Sequence, residues 1–217
     1  MPHSSNDSVE TEVLVSRAAE GDSDALAELM GRYSDRLKRM VRLRMDHRLQ
    51  GRTGASDVVQ EALIEAARRL SDYQRNPPMG FFLWLRALTA ERLLNAHRAH
   101  LGTQKRDVSR DVSLYRRAMP AAHSVSLARQ LMGDFTSPTQ AIQRAETQLL
   151  VQEVLNRMNP IDREILVLKY FEQLSTSEVA SELGIKRSTA GKRYIAALKR
   201  LKQELSAIPG FDNLKET

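Results

Sequence analysis

The sequence predicts an all-α protein with two helical domains joined by a long linker. Strand signals are sparse, because no run of β-branched residues alternates with polar ones. Ala, Leu, Glu, Arg and Gln, which favour helices, dominate three blocks of the chain. Polar or Pro-containing stretches separate these blocks, and apolar residues recur within them at helical spacing.

The composition indicates a soluble chain with a polyanionic partner. Its 217 residues suffice for one or two domains, and 41% hydrophobic content suffices for packed cores. The net charge of +6 favours binding to a polyanion. The absence of Cys excludes disulfides and thiolate metal sites. With neither a leader pattern nor the roughly 20 apolar residues of a membrane span, we expect a cytoplasmic protein without membrane insertion.

The first helical block follows an N-terminal extension, residues 1–20. Asp22 or Ser23 can serve as its N-cap, because either side chain can accept hydrogen bonds from N–H groups of the first turn. Apolar residues at helical spacing then form one stripe: Leu26, Leu29, Met30, Tyr33, Leu37, Met40 and Val41. A strongly basic stretch follows, and the block ends in the segment 51–54, which begins and ends with glycine.

A second helix is predicted from Asp57, in the segment DVVQEALIEAARRL. Four residues at spacings i, i+3, i+4 and i+7 share its outer face: Asp57, Gln60, Glu61 and Ile64. An acidic face in a basic protein suits contact with a basic partner surface. The alternative is a solvated face whose acids favour the positive end of the helix dipole.

A Pro-containing loop, residues 71–80, precedes a third helix predicted from Phe81 to His100. Aromatic and cationic residues share this helix, which suits unstacked DNA because bases stack on aromatic rings while guanidinium groups hold the backbone. The alternative places the aromatic residues in the core, which we favour for Trp84 and leave open for Phe81 and Phe82. The first predicted domain is thus residues 21–101.

The third helix also raises the alternative of a metal-dependent nuclease, because His97 and His100 lie near Glu91 and Asn95. However, HExxH spacing is absent and the two histidines lack a third ligand. The sequence has no glycine-rich phosphate loop and no arrangement that suggests a Ser/His/Asp nucleophile. We therefore expect a protein that is not an enzyme and needs no metal or cofactor.

Residues 102–148 are predicted to form a long linker, because polar residues dominate and prolines interrupt them. A C-terminal domain, residues 149–206, then contains a predicted helix-turn-helix, and residues 207–217 form a short tail. Ser175 and Glu178 form a capping box that starts one helix. Gly184 ends that helix, since glycine takes the left-handed conformation without a Cβ clash.

Charge is divided at this turn. Acidic residues outnumber basic ones from Asp162 to Gly184, whereas every charged residue from Gly184 to Lys202 is Lys or Arg. Positive charge at a helix N-terminus opposes the helix dipole, and a phosphate partner would offset that cost. The second helix is therefore the candidate reader of DNA. The alternative is an ordinary antiparallel helix pair with a solvated basic face.

Four segments follow one another along residues 21–205: GDSDALAELMGRYSDRLKRMVRLRM, DVVQEALIEAARRL with its D-x-x-Q-E core, FFLWLRALTAERLLNAHR and PIDREILVLKYFEQLSTSEVASELGI. In this order they resemble an extracytoplasmic-function (ECF) sigma factor of the sigma-70 family. The resemblance implies a region 2-like domain of three or four helices, a long linker and a region 4-like helix-turn-helix domain. It also implies an alternative-type bacterial transcription initiation factor that binds core RNA polymerase, directs it to promoters and helps to melt the −10 region.

The resemblance implies three sets of contacts. The clamp of the largest polymerase subunit would bind Asp57, Gln60, Glu61 and Ile64. The −10 element would be recognised and opened by Tyr73, Arg75, Phe81, Phe82, Arg86, Glu91, Arg92, Asn95 and Arg98. The −35 element would be bound by the helix-turn-helix, residues 175–194, through Lys186, Arg187, Ser188, Thr189, Lys192 and Arg193. The implied partners are also double- and single-stranded promoter DNA and the flap of the second polymerase subunit, and an anti-sigma factor is left open.

The chain departs from the family pattern in two helices. In the third helix, Glu91 and Asn95 stand where the family often has Asn and Asp. In the reading helix, Lys186 replaces a usual capping Ser and Gly191 a usual Lys, so the −10 and −35 sequences are not predicted. One alternative function stays open, a two-domain helix-turn-helix regulator that binds duplex DNA by itself and uses its N-terminal half for ligand sensing or dimerisation.

Overall fold

The computed structural model describes residues 5–49, 53–101, 119–132 and 141–208. These ranges are helical and contain no strand, which confirms the all-α prediction. The helices are α1 (Ser5–Ala19), α2 (Ser23–Arg44), α3 (Ala55–Arg75), α4 (Phe81–Leu101), α5 (Ser124–Met132), α6 (Ala141–Arg157), α7 (Pro160–Leu166), α8 (Thr176–Leu183) and α9 (Arg187–Ser206). A 3₁₀ turn (His47–Leu49) follows α2, and a π-helical segment (Val167–Phe171) continues α7. None of the helices in these ranges is long and apolar enough to span a membrane.

The chain divides into two compact units, residues 1–120 and 121–217. Unit 1 contains α1 to α4, and unit 2 contains α5 to α9. The division falls inside the linker expected at residues 102–148. Residues 102–118 and 133–140 lie outside the described part of the chain. Helix α5 belongs to unit 2, where it packs against α6, and its buried residues are Leu127, Ala128 and Met132.

Helix α1 corrects the expectation that residues 1–20 are an extension of the first domain. The helix packs against α2 and α3, with Leu14, Val15 and Ala18 buried. The Oγ1 atom of Thr11 and the hydroxyl of Tyr33 on α2 share a buried hydrogen bond of 2.8 Å. Residues 11, 14, 15 and 18 have the spacing of one helical face, so α1 is part of the core of unit 1.

Helix α2 begins at the predicted cap. The carboxylate of Asp22 accepts hydrogen bonds from the backbone N–H groups of Asp24 and Ala25, both at 3.0 Å. The N–H of Ala25 and the guanidinium of Arg17 favour the charged carboxylate and lower the pKa of Asp22 below its usual value. Gly21, with φ of +100°, makes the turn between α1 and α2 in a conformation that residues with a Cβ rarely adopt. The cap therefore sets where α2 leaves α1.

Arg44 is fully buried in the last turn of α2. Its Nη1 donates to the carbonyl oxygen of Pro120 at 2.7 Å, across 76 residues of sequence. A buried cation needs such a partner, because burial without a hydrogen bond costs several kcal/mol. This bond holds Pro120, the last residue of unit 1, against the end of α2.

Helix α7 precedes the helix-turn-helix in unit 2. Asn159 caps it, accepting from the N–H groups of Ile161 at 3.0 Å and Asp162 at 3.4 Å. Pro160 occupies the first helical position, where a missing N–H costs nothing and the fixed φ suits the helix. The π-helical segment that follows buries Val167, Leu168 and Phe171, and it leads the chain into α8.

The corner between α8 and α9 has the geometry that the sequence predicts. The backbone N–H of Glu178 donates to Ser175 Oγ at 3.1 Å, and the N–H of Ser175 donates to Glu178 Oε2 at 2.6 Å. Gly184 has φ of +64° and ψ of +31°. The N–H of Ile185 then donates to the carbonyl of Ala180 at 3.0 Å, which completes a Schellman motif. The capping box and the left-handed glycine are both confirmed.

We expect Ser175→Ala to weaken the start of α8 by about 1 kcal/mol, because the N–H of Glu178 loses its acceptor. The measurement is native-state hydrogen exchange of the Glu178 amide. Ser177→Ala is the matched control, since Ser177 is exposed in the first turn and does not cap the helix, and it should stay within about 0.5 kcal/mol of the wild type. Equal protection of this amide in both variants would contradict the role given to Ser175.

Candidate nucleic-acid interface

The outer face of α3 consists of Asp57, Gln60, Glu61 and Ile64, and all four residues are exposed. Ile64 is the apolar member, and 54% of its surface is exposed. The opposite face is packed in the core through Val58, Val59, Ala62, Ala66 and Leu70. The predicted set therefore shares one surface, in which acidic and amide groups adjoin an exposed apolar side chain.

Asp57 has a structural role that the other three residues of this face lack. Helix α3 begins at Ala55, two residues before the expected start, and Gly54 is its N-cap. The Oδ2 atom of Asp57 accepts a hydrogen bond from the N–H of Gly54 at 2.8 Å. Replacing Asp57 therefore changes the helix start as well as the surface, whereas Glu61 can be changed without loss of a cap.

The aromatic residues at the start of α4 lie in the core of unit 1. Phe81, Phe82 and Trp84 expose 6%, 6% and 9% of their surfaces. Tyr73 of α3 stacks on Trp84 with ring centroids 4.5 Å apart, and Tyr33 of α2 contacts Phe81 and Phe82 at 5.8 and 5.6 Å. The core placement of Trp84 is confirmed. Direct stacking of DNA bases on Phe81 and Phe82 is corrected, because neighbouring helices already cover these rings.

Tyr73 is one of the residues predicted to contact −10 DNA, but the structure places it beneath the loop that joins α3 and α4. Only 9% of the residue is exposed, and its hydroxyl donates to the carbonyl oxygen of Met79 at 2.9 Å. Burial, with a smaller contribution from the charge of Glu12, raises the pKa of Tyr73 to about 12. Its ring and hydroxyl support the loop, while residues 76–78 and 80 of that loop are exposed.

The remaining residues predicted for −10 DNA separate into two groups. Arg86 is 1% exposed and belongs to the core, which corrects its assignment to DNA. The other five lie at the surface and are Arg75, Glu91, Arg92, Asn95 and Arg98. Arg92 is partly covered and pairs with Glu65 of α3 at 3.3 Å. Arg98 Nη1 donates to Asn95 Oδ1 at 3.4 Å. Glu91, Asn95 and Arg98 have the spacing of one helical face, so they give α4 a polar surface.

His97 has a structural contact rather than a ligand set. Its Nε2 accepts a hydrogen bond from the backbone N–H of Asp46 at 3.3 Å, which ties the end of α2 to α4. In the described ranges no three His, Cys, Asp or Glu side chains are grouped as metal ligands. The contact of His97 therefore gives the nuclease alternative no support.

Helix α9 presents the basic surface of unit 2. Its buried residues are Ala190, Ala197, Leu201 and Leu205. Lys186, Arg187, Ser188, Thr189 and Lys192 are all exposed. Lys186 is the N-cap and makes no side-chain capping bond. A helix N-terminus attracts anions through its N–H groups and dipole, and here that end also carries cationic side chains, an arrangement that suits phosphate.

Arg193, the last residue of the predicted −35 set, is partly engaged within the protein. Its Nη1 lies 3.6 Å from Oδ1 of Asp162 on α7, and its side chain is 42% exposed. Arg200 donates to the other oxygen of the same carboxylate at 3.1 Å. This pairing is not predicted from the sequence, in which its signal is two arginines seven residues apart on one helix.

One helical unit carries a basic helix-turn-helix, the architecture of a class of DNA-binding proteins, and the other carries an exposed acidic and apolar face on α3. A sequence model of the family described as Sigma-70, region 4 matches residues 148–201. The ECF RNA polymerase sigma factor SigD of Mycobacterium tuberculosis is 30% identical over 199 residues, which cover 90% of this chain and 84% of SigD. SigW of Bacillus subtilis, another ECF sigma factor, is 23% identical over 88% of this chain and 94% of its own length.

A solved structure, CnrH in complex with the cytosolic domain of CnrY, has the same fold with a TM-score of 0.51 and 20% identity, over 91% of this chain and 98% of that chain. The chain belongs to the ECF RNA polymerase sigma factors. It is a transcription initiation factor that acts with RNA polymerase on promoter DNA, and it is not an enzyme. The regulator that would act without polymerase is not favoured.

We expect Tyr73→Phe to lower the free energy of unfolding of unit 1 by about 1 kcal/mol, because the ring remains but the bond to Met79 is lost. Urea unfolding followed by the fluorescence of Trp84, the single Trp, reports it directly because Trp84 stacks on Tyr73. The folded state keeps the Tyr73 proton to about pH 12, above the ordinary pKa of 10.0. The stability contributed by the protonated Tyr73 hydroxyl is therefore present below the ordinary pKa and lost as the pH rises through the folded pKa.

The free-energy advantage of the wild type over Tyr73→Phe should consequently fall from about pH 9 upwards, and it should reverse in sign by about pH 11.5 because the unfolded chain ionises Tyr73 first. Tyr170→Phe is the control, since Tyr170 is 57% exposed and lies in unit 2. A constant difference across this pH range would contradict a buried, hydrogen-bonded hydroxyl at Tyr73.

Proposed function

We propose that α9 enters the major groove at the −35 element while unit 1 binds core polymerase through α3 and opens the −10 element. The observation that carries this proposal is the division of α9 into two faces. Small and apolar residues hold one face against α7 and α8, and basic residues occupy the other. This arrangement is typical of the recognition helix of a helix-turn-helix.

Within α9, the exposed residues suit two kinds of DNA contact. Ser188, Lys192 and Lys199 are spaced so that they lie on the side of the helix opposite the buried alanines. Lys and Arg can donate to guanine or to phosphate, and Ser or Thr can pair with either strand partner. Gly191 has no side chain to contribute, and a Cβ there would meet the methyl group of Thr176 at 3.8 Å. Contacts with −35 DNA are proposed for residues 186–189, 192 and 193.

For polymerase binding, we assign the central role on α3 to Gln60, Glu61 and Ile64. An exposed apolar side chain flanked by an acid can bury its surface against a partner while the acid pairs with a basic rim. The basic clamp of the largest subunit fits this description. Asp57 is given a double role, as part of the face and as the cap of α3. The flap of the second subunit is the proposed partner of unit 2.

For −10 recognition, we assign the loop at residues 76–80 and the polar surface of α4. The aromatic cluster cannot offer its rings to bases without unpacking, because its members are covered by one another and by α2. It is instead a rigid base for the loop. An unstacked base is therefore proposed to be held by polar groups of the loop, with Arg75, Asn95 and Arg98 along the single strand.

Location and regulation follow from the same proposal. A factor that works with RNA polymerase acts in the cytoplasm. A regulatory protein of the anti-sigma class is a further proposed partner. This proposal is supported by the structure of CnrH, which has the same fold and was solved in complex with the cytosolic domain of CnrY.

Charge reversal at one position of the α3 face tests polymerase binding. We expect Glu61→Lys to weaken binding to core polymerase roughly ten-fold or more, because like charges placed opposite each other at an interface cost several kcal/mol. Fluorescence titration of labelled protein with core polymerase measures this. Asp35→Lys on α2 is the matched control, because Asp35 is also exposed and the change in net charge is the same. Equal affinity of both variants would remove the α3 face from the proposal.

Removal of one cation from α9 tests −35 recognition. We expect Lys192→Ala to lower −35-dependent transcription roughly ten-fold, because one base or phosphate contact contributes about 1–3 kcal/mol. The measurement is run-off transcription by reconstituted holoenzyme from a promoter library. Lys202→Ala, an exposed cation three turns further along α9, should leave transcription nearly unchanged. Normal output from Lys192→Ala on every promoter would contradict the placement of α9.

A further inference from the structure

Asp162 lies in the first turn of α7 with only 13% of its side chain exposed. One carboxylate oxygen is 3.6 Å from Nη1 of Arg193, and the other accepts a hydrogen bond from Nη1 of Arg200 at 3.1 Å. The backbone N–H of Asp162 is itself capped by Asn159 at 3.4 Å. The carboxylate therefore has a defined position at the start of α7, and two arginines of α9 converge on it.

The two arginines occupy equivalent positions on α9. Arg193 and Arg200 are seven residues apart, or about two helical turns, and each follows a buried alanine by three residues. They consequently lie on the flank of α9 that faces α7, between the buried face and the surface that carries Lys192. Small residues at 190 and 197 allow α7 and α9 to approach closely enough for one carboxylate to reach both guanidinium groups.

Arg193 remains accessible although it is paired. Its side chain is 42% exposed, and a guanidinium carries five N–H donors in a rigid fork, so one edge can meet a carboxylate while another faces DNA. An arginine without such a partner can adopt many rotamers. It would bind the nearest phosphate, since attraction to phosphate is strong and independent of the DNA sequence. Pairing with a part-buried carboxylate restricts that freedom.

We propose that Asp162 is a positioning residue for −35 recognition, which fixes Arg193 beside the reading surface and restrains it from sequence-independent phosphate contacts. This inference rests on the proposed function of α9. It extends the site to a residue on α7 that does not itself face DNA, and it assigns to an acidic side chain the task of improving discrimination between promoters.

The test is Asp162→Asn in reconstituted holoenzyme, with a promoter library randomised over the −35 region. We expect the preference among −35 sequences to fall at least three-fold. Binding of the purified variant to unrelated duplex DNA should become tighter, and its dependence on salt steeper by up to about 0.9 in the log–log slope, the value for one further phosphate contact. Asp162→Glu, which keeps the charge, should restore part of the preference.

Glu153→Gln is the matched control, because it removes the same charge from an exposed pair with Arg157 elsewhere in unit 2. A double-mutant cycle with Arg193→Ala shows whether the effect of Asp162→Asn on −35 preference depends on Arg193. If Asp162 acts through Arg193, Asp162→Asn should change the −35 preference little in the Arg193→Ala background. Thermal unfolding of each variant shows whether loss of stability explains a loss of activity.

Three outcomes would overturn the inference. The first is an unchanged −35 preference and salt slope in Asp162→Asn, and the second is the same change in Glu153→Gln. The third is a loss of binding to all DNA together with a lowered melting temperature, which would give Asp162 a structural role alone. The result for Lys192→Ala separates these outcomes from a failure of the proposed function. If Lys192→Ala recognises the −35 element normally, α9 is not the reading helix and the proposed function fails. If Lys192→Ala impairs −35 recognition but Asp162→Asn has no effect, only the inference about Asp162 fails.

Discussion

The corner between α8 and α9 is the constraint on which the DNA-binding unit depends. Reciprocal hydrogen bonds between Ser175 and Glu178 define where α8 begins, and the left-handed Gly184 with the bond from Ile185 to Ala180 defines where it ends. The direction of α9 follows from that turn. Because Ala190, Ala197 and Leu201 must then face the other helices of unit 2, the cations between them are left on the outside.

Part-buried carboxylates organise the arginines of both units in a similar way. Glu65 contacts Arg69 at 2.5 Å and Arg92 at 3.3 Å, and Asp162 contacts Arg193 and Arg200. These acids expose 16% and 13% of their side chains, so their pairs are screened less by salt than pairs at the surface. In a protein of net charge +6, the positions of these acids determine which arginines are restrained by an ion pair and which are not.

In unit 1, packing gives the aromatic cluster a role in the core, although the chemistry of its rings also suits stacking on DNA bases. Phe81, Phe82 and Trp84 have the right chemistry for stacking on bases, but Tyr33 and Tyr73 occupy their faces. Burial of these large rings stabilises the contact of α4 with α2 and α3. Tyr73 then uses its hydroxyl to hold the carbonyl of Met79. The loop at residues 76–80 is therefore supported from below, and polar recognition is left to its exposed residues.

Features that arise within a few residues can be predicted from the sequence alone. They are the Asp22 cap, the capping box at Ser175, the turn at Gly184 and the exposed face of α3. Local hydrogen bonds and helical spacing are sufficient for these. Packing between distant segments was needed to show that α1 joins the core, that Arg44 donates to Pro120, and that Phe81 and Arg86 are buried. The pairing of Asp162 with two arginines of α9 belongs to the same group. Each of these depends on which helices pack together, and contacts between residues distant in sequence leave no periodic signal along the chain.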